Sequence, residues 1–311
     1  MFDLLPNFWT PVLPANHLGD RPVGVKLAGE KIALFRGKNG LGALLDSCPH
    51  RGVALSGGAV VDGCLTCPFH GWRFSEDGVA RHIPFNEEQS GHRRAVAVPV
   101  REIAGMIWVF TGLAAVGEPA LPEAASRPGV HLAAVYEDWR VHWTRAMENM
   151  LDTPHLPYVH RRTIGAGMAR GPQRKMVQEI VPNEKGWENH FVVDDGPPSR
   201  IDWLRPNAME LHILDQPGRF LRNAAYCVPL DAHTTRMIIL SAWDFGIFSP
   251  LFRLGQLFNN RVLAEDRAIL ESSDPPEVPR PSAEQHVPTD TPTLRFRRWY
   301  FENLVDRAAA P

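Results

Sequence analysis

Cys48-Pro49-His50 and, after sixteen intervening residues, Cys67-Pro68-Phe69-His70 offer two thiolates and two imidazoles from loops of similar make-up. That donor set suits a [2Fe-2S] cluster in which one iron keeps two cysteine sulfurs and the other takes two histidines. The neutral imidazoles raise the reduction potential above that of an all-cysteine cluster, so the pattern implies electron transfer. Pro49 and Pro68 fix local torsions, while Gly71 lets the chain pass close to a ligand. Backbone N–H groups of such loops can donate to the sulfurs and tune the potential. Trp72, next to Gly71, is placed to shield one side of the cluster from water.

Structural zinc is the competing reading, because two cysteines and two histidines also make a tetrahedral site and Cys64-Leu65-Thr66-Cys67 supplies a Cys-X-X-Cys. A zinc finger, however, pairs cysteine with cysteine and histidine with histidine, whereas here a histidine closely follows each of Cys48 and Cys67. Cys64 then becomes a spare, expected to be buried and inert.

The stretch Cys48–Trp72 resembles the Rieske domain of the non-haem iron ring-hydroxylating oxygenases. A second stretch, Glu148-Asn149-Met150-Leu151-Asp152-Thr153-Pro154-His155-Leu156-Pro157-Tyr158-Val159-His160, carries the Asp-X-X-His-X-X-X-X-His pattern of the same family. Mononuclear Fe(II) oxygenases hold their metal with two histidines and one carboxylate and leave positions open for O2 and substrate. His155 and His160 fit the histidine roles. Their spacing of five would separate them around a regular helix, and Pro154 and Pro157 provide the break that lets both turn inward. The carboxylate must come from elsewhere, and the helical pattern Leu251–Glu271 is the best source. The resemblance points to Asp266 there, with Glu265 as the adjacent rival. Arg267 and Glu271 are expected to form a solvated pair.

The resemblance also implies that Asp152 is not a metal ligand. It would hold His155 and bridge to His70 of a neighbouring subunit, and Asn149, one turn earlier, would line the iron site without binding tightly.

At 311 residues, with 44% hydrophobic composition, the chain can build two cores. A formal charge of −2 gives no basic excess for nucleic acid. The longest apolar runs, Gly105–Phe110 and Met237–Trp243, are too short for a bilayer span, and no signal peptide is apparent. Four cysteines, two committed to iron, suit a reducing cytoplasm.

The expected fold class is α+β. An all-β N-terminal module (1–116) carries hairpin signals at Gly29-Glu30, Asn39-Gly40 and Asp77-Gly78, with later strands at Val96–Val100 and Met106–Phe110. The remainder (117–311) alternates strands and helices. Strands are expected at Val135–Trp143, Lys175–Val181, Asn189–Asp194, Met209–Leu214, Ala224–Val228 and Arg236–Asp244, and helices over 144–152, 250–272 and the end of the chain. An antiparallel sheet gripping a long helix follows, which is the shape the resemblance implies for a catalytic domain. Ile201, Trp203, Leu211, Ile213, Tyr226, Trp243, Phe245, Phe248 and Phe252 supply core and, in a minority, an apolar pocket. His142, His190 and His212 are expected as surface or satisfied strand residues.

Together these readings imply a terminal oxygenase component holding a [2Fe-2S] Rieske cluster and a mononuclear Fe(II). It would use O2 to hydroxylate or demethylate an apolar or aromatic substrate, with arene dihydroxylation or simple electron transfer as alternatives. The chain has no Gly-X-Gly-X-X-Gly segment, so electrons must come from a separate ferredoxin or NAD(P)H-dependent reductase. Arg51, Arg73, Arg93, Arg94 and Arg101 are candidates for steering that partner. The resemblance further implies a homotrimer.

Overall fold

The computed structural model describes residues 1–168, 174–216, 218–246 and 250–308, of which 250–256 and 308 are described by backbone alone. The chain divides into two compact units, Met1–Pro119 and Ala120–Pro311.

The first unit is built from small antiparallel sheets. One joins Trp9–Pro14, Met106–Phe110 and Val100–Ile103, a second joins Val23–Leu27, Glu30–Gly37 and Gly40–Leu45, and a third holds four short strands between Ala59 and His82. The turn at Ala28-Gly29 uses positive φ at both positions, as a tight two-residue hairpin needs. The expected strand at Val96–Val100 is reduced to a bridge between Leu44 and Ala97, and regular pairing begins only at Val100.

In the second unit seven strands form one antiparallel sheet: β1 (His131–Trp139), β2 (Met176–Pro182), β3 (Gly186–Val193), β4 (Ser199–Leu204), β5 (Ala208–Gln216), β6 (Arg219–Asp231) and β7 (Thr234–Trp243). Their order is β1-β7-β6-β5-β4-β3-β2. Strand β4 was not anticipated, because its alternation of polar and apolar residues, Arg200-Ile201-Asp202-Trp203, runs for only four positions. The expected strand over Val135–Trp143 instead ends at Trp139, and Trp143 opens a helix.

That helix, α1 (Trp143–Leu151), starts where His142 caps it by accepting from the Thr144 N–H. His142 is therefore a buried capping residue and not a strand or surface one. Trp143, Ala146, Met147 and Leu151, at helical spacing, are buried; each large side chain among them contributes about 1.5–3 kcal/mol of burial. The helix stops at Asp152 because Pro154 disfavours helical torsions at Thr153. One further turn, α2 (Leu156–Val159), follows, then the long α3 (Pro250–Leu270) and α4 (Thr291–Tyr300). Arg267 and Glu271 of α3 do not pair with each other: Arg267 reaches Glu137, and Glu271 takes Arg140.

Register decides what the sheet presents. Met209, Ala225 and Ile239 lie opposite one another across β5, β6 and β7, as do Leu211, Asn223 and Ser241. Alternate residues of a strand share a face, so these rows point the same way. A bulge between His212 and Leu214 breaks the alternation and brings Leu211, His212 and Ile213 to one cavity.

Candidate metal centres

The two cysteine loops fold alike. Cys48 N–H donates to Val53 O and Gly52 N–H returns to Cys48 O, both at 2.8 Å; Cys67 N–H donates to Trp72 O at 2.8 Å and Gly71 N–H to Cys67 O at 3.1 Å. Gly52 and Gly71 close these turns with φ of 71° and 72°, a region that penalises any residue with a Cβ. Cys48 and Cys67 are both buried in the core of the unit, among Phe35, Leu44, Leu65 and Phe74. Their thiols lie within hydrogen-bonding reach of each other, and burial, with Cys67 alongside, pushes the Cys48 thiol up to about 11.

The His50 and His70 rings sit 4.7 Å apart, and Trp72 stacks on His50 at 4.8 Å and 5°. His50 Nδ1 is buried without a hydrogen-bond partner. An orphaned imidazole nitrogen beside two close, unbridged thiols is the environment a cluster of two-sulfur, two-imidazole type would satisfy. Cys64 is half-buried, not fully buried as expected, because it opens its strand beside the turn from Val61 and lies before the pairing with the next strand begins at Leu65.

In the second unit, ligand atoms of His155, His160 and Asp266 lie within 4.8 Å of one another. His155 follows the end of α1 and His160 the end of α2, so the proline-broken chain supplies both, while α3 delivers Asp266. Asp152, the C-cap of α1, takes both His155 N–H, at 3.1 Å, and His155 Nδ1, at 2.8 Å.

His160 has a matching carboxylate. Glu265 Oε2 lies 3.0 Å from its Nδ1 and accepts Thr163 Oγ1 at 2.5 Å. Sequence reading placed Glu265 only as a rival ligand. The signal was present in the adjacent acids of Glu265-Asp266, since an imidazole has two nitrogens and each can face a different carboxylate.

With each Nδ1 beside a carboxylate, the neutral rings carry their protons there and turn their Nε2 lone pairs toward Asp266. Asp266 Oδ1 is 3.0 Å from His160 Nε2 and 3.6 Å from His155 Nε2, yet it is buried and makes no hydrogen bond. Lone pairs facing a carboxylate oxygen at that range repel unless a cation sits among them. The residues thus fit a divalent metal of the two-histidine, one-carboxylate kind. Burial by itself would lower the His160 pKa, but the Asp266 and Glu265 carboxylates overcome it and raise it, so a metal at this position competes with protons for the imidazole.

The trio lies in the wall of a cavity of about 780 Å³. Asn149 lines it, with Nδ2 buried and unpartnered. Of the apolar residues nominated from sequence, Ile201, Leu211, Ile213, Trp243 and Phe245 line the cavity, whereas Trp203 and Tyr226 are buried elsewhere in the core. Phe248 and the Phe252 side chain lie outside the described residues. His212 is held by Asp202 and Asp215, each at 3.1 Å, a satisfied strand residue as expected.

The Rieske [2Fe-2S] domain family matches residues 8–102. The chain is 35% identical over 168 residues to the 3-chlorobenzoate-3,4-dioxygenase oxygenase subunit of Comamonas testosteroni, covering 51% of this chain and 39% of that one. It is 27% identical over 330 residues to the methylxanthine N3-demethylase NdmB of Pseudomonas putida, covering 96% of this chain and 89% of that one. A Pseudomonas putida CBB5 NdmA mutant with theobromine shares the fold at a TM-score of 0.83, with 23% identity over 98% of this chain and 92% of that one. The chain spans about half the length of several of the curated relatives it matches.

Proposed function

From a chain that joins a Rieske [2Fe-2S] domain to the fold of the Rieske non-haem iron oxygenase alpha subunits, we propose a terminal oxygenase that inserts one oxygen atom into an apolar organic substrate, by hydroxylation or oxidative demethylation. The observation that carries this reading is the convergence of His155, His160 and Asp266 on the wall of an apolar cavity. Cys48, Cys67, His50 and His70 would hold the cluster, and the trio would hold Fe(II). Bound there, the two metals supply one-electron transfer and the activation of dioxygen.

The protein's own contribution is positional. Asp152 and Glu265 fix the two imidazoles with Nε2 toward the metal position and increase their basicity. Met209, Leu211, Ile239 and Trp243 keep water from the reacting face. Asn149 adds a polar group beside the trio without completing it.

Electrons would come from a separate ferredoxin or reductase. Arg51, Arg93 and Arg94 are exposed and remain available to steer it, while Arg73 is engaged by Asp62 and Arg101 by Glu118. His70 is exposed at the tip of its loop. That exposure supports a homotrimer in which His70 of one subunit meets Asp152 of the next. No helix among the described residues is long and apolar enough to cross a membrane.

The test is O2 consumption by the protein with a reductase and NADH, across a panel of aromatic, polycyclic and N- or O-methylated compounds. Uptake that rises with one compound and yields its hydroxylated or demethylated product supports the reading. Electron transfer with no compound stimulating uptake reduces the protein to a carrier.

A further inference from the structure

The polarity of the cavity names a substrate class, on the footing that this cavity is the oxygenase's substrate site. Its described lining residues include no lysine or arginine. Its acids, Asp152 and Asp266, belong to the metal trio and its support, and both nitrogens of His212 already face carboxylates. A carboxylate-bearing substrate would therefore be desolvated with no cationic side chain to meet it, which is costly.

Away from the metal trio, Asn223 and Ser241 set a polar pair into a sheet face that also carries Ser199 and His212. Asn223 on β6 lies directly opposite Ser241 on β7, with Leu211 on its other side. Asn223 Oδ1 is buried and has no hydrogen-bond partner. Buried amide oxygens are nearly always satisfied, so this one is suited to a ligand donor. The volume of about 780 Å³ exceeds what a single substituted ring fills.

We propose that the cavity takes an uncharged, multi-ring molecule that presents an O–H or N–H to Asn223. Such a molecule buries its rings against Met209, Ile239 and Trp243 and satisfies the amide without bringing a charge.

Three probes of one shape separate these elements: phenanthrene, 9-phenanthrol and phenanthrene-9-carboxylate, titrated into the anaerobic holoprotein and followed by Trp fluorescence and calorimetry. The expected order is 9-phenanthrol, then phenanthrene about 2- to 10-fold weaker, then the carboxylate weaker again by at least about 10-fold. Asn223→Leu is expected to erase the preference for 9-phenanthrol and leave phenanthrene affinity within about twofold. Tightest binding by the carboxylate, a preference for 9-phenanthrol that persists in Asn223→Leu, or no binding by any of the three each overturns the proposal.

Ala225→Phe, which fills the centre of the cavity, distinguishes this from failure of the underlying reading; Leu211→Trp serves if that variant does not fold. Binding that survives the filled cavity places the probes elsewhere and removes the cavity as substrate site. Binding lost on filling, with the order of probes reversed in the native protein, removes only the polarity inference.

Discussion

Glu265→Gln is the perturbation that isolates the support behind His160, one of the three proposed metal ligands. Glu265 Oε2 accepts from His160 Nδ1 at 3.0 Å and from Thr163 Oγ1 at 2.5 Å, while Arg261 stands 3.9 Å from the other oxygen. The acid side chain is 19% exposed and that of His160 only 1%, so the pair is shielded from most of the solvent that would weaken it. A charge-assisted hydrogen bond of this kind contributes about 1.5–3 kcal/mol. Gln keeps the length but loses the charge, and its amide nitrogen has nothing to offer a protonated Nδ1. Loss of about 1.4–2.8 kcal/mol corresponds to 10- to 100-fold weaker metal binding at the trio. The assay is competitive titration of Fe(II), or of Co(II) as a spectroscopic substitute, against a chelator of known affinity, with the visible cluster absorption as the internal control. Affinity within about twofold of native would refute the argument that Glu265 orients His160. Loss of the cluster absorption as well would show that the effect is global and not local.

Arg297 is buried between Glu148, with which it makes a close double contact, and Glu284 at 2.6 Å; Arg145 holds Glu148 from the other side at 3.3 Å. Arg297→Leu therefore leaves Glu148 partly compensated and is expected to cost about 3 kcal/mol, read as a lower midpoint in thermal unfolding. Glu123 is held down to about 2 by its hydrogen bonds to Arg127 and Arg222. Because its folded pKa is depressed, its stabilisation is complete above the unfolded value of about 4.5 and fades as pH falls through about 2; allowing for its 58% exposed side chain it amounts to about 1 kcal/mol. Glu123→Gln should thus be less stable than native by that amount at pH 7 in urea unfolding, with the gap narrowing between pH 4.5 and 3. Cys67→Ser should abolish the visible absorption and the sulfide content while mononuclear metal binding persists, as measured by Co(II) spectra.

Features set by short-range spacing were legible in the chain. Cys48, His50, Cys67 and His70 lie within one run, and the structure folds their two loops into matching glycine-closed turns. Pro154 and Pro157 announced the broken helix that brings His155 and His160 together. Asp266 was reached through resemblance, because nothing local distinguishes it from Glu265; only the three-dimensional position of His160, with a nitrogen facing each acid, separates their roles. Asn223 and Ser241 could not be singled out at all. Their meeting depends on the register of β6 against β7, and register is a property of the assembled sheet. Arg267 likewise found Glu137 on a distant strand in place of its helical neighbour, as tertiary contacts often override a weak pair one turn away.

Iron and acid-labile sulfide counted per chain, in the native protein and in His155→Ala, test most directly the claim that one chain holds two unlike metal centres. The native protein should carry about three irons and about two sulfides, and His155→Ala about two of each with the visible spectrum unchanged. Equal iron and sulfide in the native protein after Fe(II) reconstitution, or loss of sulfide together with iron in the variant, would contradict it.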